Sequence, residues 1–156
     1  MNDTIFVSIA SYRDPELEKT IKDALSKAKY PKKLKFVVAW QHSSEDEWDN
    51  LSKKYGKDKR FKILDIDHKE SMGVCWARNL IQQEYSDEGY YLQLDSHHRF
   101  SNDWDQKLRD WLNFLRCEGH DKPLISSYLP SYDPKSEDKI FEVWGLNIDR
   151  FLPEGA

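Results

Sequence analysis

The sequence lacks several features that identify common classes of protein. Only two of its 156 residues are cysteines, Cys75 and Cys117, too few for a disulfide framework and without the spacing of a metal site. No apolar run approaches the roughly 20 residues that span a bilayer. Residues 1–10 also lack the features of a signal or transit peptide. We therefore expect no membrane segment and a cytoplasmic location.

Positive charge and the common nucleotide-binding motifs are also scarce. The 24 Lys and Arg residues are outnumbered by 28 Asp and Glu residues, which leaves a net charge of −4. Bulk electrostatics therefore gives no reason to expect nucleic-acid binding. The patterns GxGxxG, GxxxxGK[ST] and GxSxG do not occur, so the sequence supports neither a dinucleotide fold, nor a P-loop, nor a serine nucleophile elbow.

What the sequence does contain is an alternation of apolar strand patterns and helical patterns. The length and the 38% apolar content fit one folded domain, 1–156. Short apolar runs predict strands at 4–10, 34–40, 61–66 and 90–94, a fifth strand at 123–128 and an extended segment at 140–148. Helix-start signals lie between them, at Asp14-Pro15, at Ser44 with Glu47, at Ser71, and at Ser101 or Asn102. This order predicts an α/β fold with a mostly parallel sheet sandwiched between helices.

Polar clusters follow the predicted strands. Ligands of open α/β sheets bind beyond the carboxyl ends of the strands, and parallel strands bring those ends to one edge. We therefore expect one binding site there, formed by Ser11-Tyr12-Arg13, Gln41-His42, Asp65 to Asp67, and Asp95-Ser96-His97.

Asp95 and His97 are the candidate metal ligands. Extended backbone places alternate side chains on one face, so the carboxylate and the imidazole can point the same way. An oxygen and a nitrogen ligand suit Mn²⁺ better than Ca²⁺, and open positions in such a shell commonly go to phosphates. Two alternatives stay open. In the first, Asp95 caps the next loop beside a half-exposed histidine; in the second, Asp65 and Asp67 are a competing carboxylate pair.

The segment GVCWARN suggests an anion site. A helix that starts after Gly73 can receive an anion at its N-terminus, and Arg78, about one turn further on, can contact a diphosphate. Alternatively, Gly73 allows tight packing and Arg78 pairs with a nearby carboxylate.

Three segments together resemble glycosyltransferase family 60. They are IFVSIASYRDPE near the start, GVCWARN in the middle, and YYLQLDSHHRF followed by Asp103-Trp104-Asp105. The family consists of GT-A-fold N-acetylglucosaminyltransferases and includes a cytosolic enzyme that modifies hydroxyproline. The resemblance covers roughly residues 4–130. It implies a GT-A-type Rossmann-like fold and transfer of a sugar from a UDP-sugar, UDP-GlcNAc above all, to a hydroxyl of a protein or glycan acceptor.

The resemblance also implies roles for individual residues. Asp95 and His97 stand at the family's D-x-H motif, which holds a divalent metal, Mn²⁺ or Mg²⁺, against the diphosphate. The other positions are implied to bind the nucleotide sugar: Ser11, Tyr12, Arg13, Gln41, Gly73 and Arg78, together with Asp95. No catalytic group for the acceptor is indicated.

The chain is shorter than members of that family, whose later region carries the acceptor surface and a further metal-binding histidine. We therefore expect donor binding rather than full turnover from this chain. Two other functions are considered. One is a non-catalytic module that binds protein through a surface rich in tryptophan, and the other is a metal-dependent phosphohydrolase, which would need more carboxylates near Asp95.

Overall fold

The structure is a computed structural model that describes residues 2–46, 48, 51–127 and 133. The chain divides into two units, Met1–Asp110 and Trp111–Ala156. That 1–156 is one nucleotide-sugar-binding domain stays a prediction. The strands and helices, in chain order, are β1 (Ile5–Tyr12), α1 (Leu17–Lys27), β2 (Leu34–His42), α2 (Leu51–Tyr55), β3 (Phe61–Asp67), α3 (Val74–Gln82), β4 (Tyr90–Asp95) and α4 (Trp104–Cys117).

The four strands form one parallel sheet in the order β3-β2-β1-β4. The predicted α/β fold with a parallel sheet is thereby confirmed. Tyr12 pairs with Gln41 on β2, and Ala10 pairs with Asp95 on β4. All four carboxyl ends consequently meet at one edge of the sheet.

The sheet carries a hydrophobic cluster on each face. On one face, Ile5, Val7 and Ile9 of β1 pack with α1, whose Ile21 is fully buried. On the other face, Phe6 packs with Ala77 and Ile81 of α3. The alternation of β1 side chains between the two faces follows from the period of two in extended backbone. Helices therefore cover the two central strands on both sides.

The edge strands are less buried than the central ones. Along β4, half-buried and exposed residues alternate, and β3 shows nearly the same pattern. One face of each edge strand is therefore open to solvent in the described part of the chain.

Several boundaries differ from the sequence prediction. The first two strands extend two residues further, to Tyr12 and His42, because those residues continue the ladder between neighbouring strands. Helix α3 begins after Gly73 rather than at Ser71. The predicted fifth strand is wrong for residues 123–127, which form neither strand nor helix, and Leu124 is exposed there. The predicted extended segment 140–148 lies outside the described residues.

One further property concerns the helices. Among the residues that the structure describes, none of the helices is both long enough and apolar enough to cross a membrane.

Candidate functional site

The candidate site lies at the carboxyl edge of the sheet, which we define by the last residues of the four strands, Tyr12, His42, Asp67 and Asp95. The convergence predicted from the sequence rests on parallel strands, and the strands are parallel. The edge is polar, because the apolar runs end where the strands leave the core.

A cleft of about 290 Å³ opens at this edge, in front of α3. Three of the predicted binding residues line it together: Tyr12 at the end of β1, Gln41 near the end of β2, and Gly73 before α3. Tyr12 is 55% exposed, and its ring lies edge-on to the ring of His68. The other lining residues are Ala10, Ser71 and Val74.

Gln41, which lines the cleft, has a buried polar atom without a partner among the described residues. Its side chain is buried, and Nε2 donates to the backbone oxygen of Ser11 at 3.0 Å. Its Oε1 has no hydrogen-bond partner among the described residues, and neither does the buried hydroxyl of Ser11. Buried polar atoms are normally paired, so an unpaired acceptor beside a cleft suggests a place for a ligand donor.

Gly73 is required by its backbone conformation rather than by packing. Its φ is 92°, which lies in a region of backbone conformation that residues other than glycine rarely adopt. A Cβ built on Gly73 would meet no atom within 4 Å, so tight packing does not explain this glycine. The residue turns the chain into α3, whose first N–H groups have no partner inside the helix.

Arg78 connects α3 to the end of β4. Its Nη2 donates to Oδ1 of Asp95 at 2.9 Å. This is the pairing with a nearby carboxylate that the sequence left open. Arg78 contacts one of the two carboxylate oxygens, and the Asp95 side chain is 55% exposed.

Arg13 is held away from the cleft lining by Asp46. The guanidinium donates from Nη2 to Oδ1 at 2.6 Å and from Nε to both carboxylate oxygens. The hydrogen bonds from Arg13 hold the pKa of Asp46 below its ordinary value, although burial opposes the shift. Arg13 thus fastens the end of β1 to the loop after β2.

His97 lies beyond the end of β4, in the loop that follows Asp95. The alternation argument that places Asp95 and His97 on one face therefore does not apply, because the extended backbone ends at Asp95. His97 Nδ1 instead lies 2.9 Å from Oδ2 of Asp14. Partial burial raises the pKa of Asp14, but hydrogen bonds from Ser96, His97 and the Glu16 backbone outweigh it and leave that pKa below its ordinary value.

By its chemistry, the predicted donor pair Asp95 and His97 could form only part of a metal site. Among the described residues, His, Cys, Asp and Glu side chains form no group of three or more that could hold a metal ion. Asp95 and His97 offer one oxygen and one nitrogen donor, each largely exposed. Such a pair leaves most of a coordination shell to water and ligand oxygens.

Comparisons with known proteins decide the family. The model of the family described as Glycosyltransferase (GlcNAc) matches residues 4–62 and 52–146. The chain belongs to this family. Among solved structures, it is similar to the crystal structure of S. aureus TarS 1-349, with a TM-score of 0.52 and 21% identity. That similarity covers 82% of this chain and 38% of the TarS chain, and it supports the fold. A search of the curated proteins found no match.

In this member of the Glycosyltransferase (GlcNAc) family, the competing carboxylate pair has partners of its own. Asp65 Oδ1 lies 2.9 Å from Nε2 of His42, whose ring stacks on Trp40 with centroids 3.5 Å apart. Asp67 accepts from the backbone N–H of Lys69. Asp65 and Asp67 lie at the same carboxyl edge, but the strands β2 and β1 separate them from Asp95.

Some residues of the site were not recognised in the sequence. The sequence pattern predicts Asp14 only as a helix start and gives no signal for Asp46 or Thr20. Each of them has a partner far away in sequence: His97 for Asp14, Arg13 for Asp46, and the backbone of Ser96 and His98 for Thr20. The signal that could have singled out Asp14 is its position directly after the polar residues that end the first strand.

Proposed function

We propose that this chain is the donor-binding part of a metal-dependent glycosyltransferase of the family 60 type. It binds a UDP-sugar, UDP-GlcNAc in particular, with Mn²⁺ or Mg²⁺, for transfer of the sugar to a hydroxyl of a protein or glycan acceptor. The observation that carries the proposal is the cleft at the carboxyl edge, lined by Tyr12, Gln41 and Gly73. The chain spans 38% of the TarS chain, so acceptor binding and turnover are part of the proposal.

The lining of the cleft matches the parts of a nucleotide diphosphate sugar. A nucleobase offers an apolar face and N–H donors, which suit the exposed ring of Tyr12 and the unpaired Oε1 of Gln41. A diphosphate is an anion, and the free N–H groups that begin α3 after Gly73 favour an anion. The two requirements are met at adjacent positions of one cleft.

Asp95 and His97 would hold the metal ion. When bound, the ion neutralises the negative charge that develops on the diphosphate as the bond between sugar and phosphate breaks. Arg78 holds Asp95 through Oδ1 and places a permanent positive charge beside it. A preorganised cation stabilises developing charge without having to move during the reaction.

Calorimetry with UDP, in the presence and absence of Mn²⁺, tests this proposal. We expect UDP to bind the wild-type chain with Mn²⁺ and to bind much more weakly after chelation of the metal. Asp95→Asn should weaken binding with Mn²⁺ at least tenfold, because a carboxylate ligand becomes a neutral amide. The variant should still fold, since Asp95 and Arg78 form an exposed pair that contributes about 0–1 kcal/mol.

Two control variants separate the possible sites. Asp110→Asn changes an exposed carboxylate on α4 and should leave the affinity unchanged. Asp67→Asn changes the competing carboxylate pair and should also leave the metal dependence unchanged. Equal UDP affinity in wild type and Asp95→Asn, or no affinity in either, would contradict the proposal. The second result is what a non-catalytic interaction module predicts.

A further inference from the structure

The Asp14 carboxylate joins the start of α1 to the loop after β4. Its Oδ1 accepts the backbone N–H of Glu16 at 2.8 Å, so this oxygen is fixed by the helix start. Its Oδ2 accepts from the hydroxyl of Ser96 at 2.5 Å and lies 2.9 Å from Nδ1 of His97. The carboxylate is largely buried. Its two oxygens therefore have distinct and fixed roles.

The backbone on both sides of His97 is anchored to the same helix. The fully buried hydroxyl of Thr20 donates to the carbonyl oxygen of Ser96 at 2.7 Å and accepts the N–H of His98 at 2.9 Å. The position of His97 relative to Asp14 is thus set by the start of α1, by the Thr20 hydroxyl within α1 and by the end of β4. The His97 side chain itself is 60% exposed.

These contacts fix which nitrogen of His97 carries the proton. An ionised carboxylate accepts hydrogen bonds and donates none. The neutral imidazole must therefore carry its hydrogen on Nδ1, facing Asp14, and keep the lone pair on Nε2. Metal-binding histidines in proteins are commonly oriented in this way by a carboxylate, which also raises the basicity of the other nitrogen.

We propose that Asp14 is a positioning residue that holds His97 in the Nδ1–H tautomer and so keeps Nε2 as the nitrogen that meets a ligand. That this ligand is a divalent cation beside a diphosphate rests on the proposed function. The tautomer itself does not, since it follows from contacts within the chain.

Nitrogen-15 NMR of the metal-free chain, at a pH where imidazoles are neutral, tests the tautomer directly. The chain has five histidines, each with two ring-nitrogen signals. The two signals of His97 are identified by their absence from the spectrum of His97→Gln. We expect the wild-type spectrum to show that Nδ1 of His97 carries the hydrogen and that Nε2 is unprotonated. A wild-type His97 with its hydrogen on Nε2 would overturn the proposal without any variant.

Asp14→Asn makes the sharper test, because it should invert the tautomer. The N–H of Glu16 still needs an acceptor, so the amide oxygen of the new side chain takes the place of Oδ1. The amide N–H₂ group then faces His97, whose Nδ1 must accept and whose hydrogen moves to Nε2. Ser96→Ala is the matched control, since it removes the other Oδ2 contact and should keep the wild-type tautomer. An unchanged tautomer in a folded Asp14→Asn variant overturns the proposal.

Mn²⁺ titration in the presence of UDP gives a second readout. Loss of such an outer partner commonly weakens metal affinity by about 10–100-fold, and we expect that range for Asp14→Asn and a much smaller change for Ser96→Ala. Equal Mn²⁺ affinity in Asp14→Asn and wild type contradicts the role of Asp14 in presenting Nε2. If the wild type shows the Nδ1–H tautomer and binds no Mn²⁺, the proposed function fails while the positioning by Asp14 stands.

Discussion

Individual buried charged side chains connect one secondary-structure element of this chain to another. Asp105 on α4 is fully buried and accepts the backbone N–H groups of Lys29 and Tyr30 at 2.7 and 2.9 Å. Its Oδ2 also lies 3.4 Å from Nη1 of Arg109. The turn that leaves α1 thus depends on one carboxylate. Asp105 belongs to the segment Asp103-Trp104-Asp105, which is part of the family resemblance. The contacts described for it stabilise the fold.

Asp105→Ala should therefore destabilise the fold strongly. The substitution leaves the two backbone donors and Nη1 of the buried Arg109 without their acceptor, although Nη2 of Arg109 still donates to the backbone oxygen of Asp3. Removal of one partner from a buried ion pair costs about 3–5 kcal/mol, and we expect a loss of that size in the free energy of unfolding measured with urea. Asp110→Ala, an exposed change on the same helix, should stay within about 0.5 kcal/mol of wild type. A loss below about 1 kcal/mol for Asp105→Ala would contradict this interpretation.

At the scale of elements, the loop after β4 is the part of the site most dependent on a helix. Thr20 lies on α1 and is fully buried, yet its hydroxyl serves the backbone of Ser96 and His98. Helix α1 therefore holds the loop after β4 by hydrogen bonds, in addition to covering the sheet.

Thr20→Val tests this attachment, because valine keeps the shape and loses the hydroxyl. The N–H of His98 and the carbonyl of Ser96 lose their partner, and an unsatisfied buried group costs about 1–3 kcal/mol. We expect a stability loss of that size and faster hydrogen exchange at the His98 amide. Thr20→Ser keeps the hydroxyl and should keep the protection of that amide. Equal exchange rates in Thr20→Val and wild type would show that the loop is held by other contacts.

The elements differ in how far the sequence predicts them. The strands β1 and β2 follow from runs that are mostly apolar, a pattern typical of strands buried on both faces. The apolar residues at 123–127 carry a similar local pattern and form no strand. A strand needs a neighbouring edge to pair with, and local sequence does not specify that edge.

For the candidate site, too, one part can be predicted from local sequence and another part cannot. The meeting of the polar strand ends at one edge could be predicted, because it depends only on the strands being parallel. The partner of His97 could not, since Asp14 lies 83 residues away and meets it through tertiary packing. The alternation of side chains in a strand predicts that Asp95 and His97 share a face, but the strand ends at Asp95. Spacing identified these residues, but it did not identify their contacts.

At the scale of the whole molecule, acidic groups with paired partners dominate the response to pH. Hydrogen bonds from Arg60 hold the pKa of Asp58 below its ordinary value. For Glu88, burial raises the pKa, but hydrogen bonds from Lys35 and the Ser86 backbone outweigh it and lower the pKa overall. The same direction holds for the pKa of each of Asp3, Asp14, Glu16, Asp46 and Asp67.

These shifts predict that acid destabilises the fold. A carboxyl group whose pKa is lower in the folded chain than in the unfolded chain binds its proton more readily after unfolding. Its stabilising effect is complete above the unfolded value, near 3.8 for Asp and 4.5 for Glu, and is lost as the pH falls through the folded value. Urea denaturation at a series of pH values should therefore show a free energy of unfolding that declines below about pH 4.5.

Glu88→Gln isolates one contribution to this decline. The Glu88 side chain is 4% exposed and accepts from Lys35 Nζ at 2.5 Å and from the Ser86 N–H at 3.0 Å, so it ties β2 to the segment before β4. We expect the variant to be about 1–3 kcal/mol less stable than wild type at neutral pH. The difference should narrow in acid, because protonation of Glu88 in the wild type removes the same ionic contact. Glu70→Gln, at an exposed position, should follow the wild-type curve at every pH. A deficit for Glu88→Gln that stays constant between neutral pH and pH 3 would mean that the side chain acts through its shape rather than through its charge.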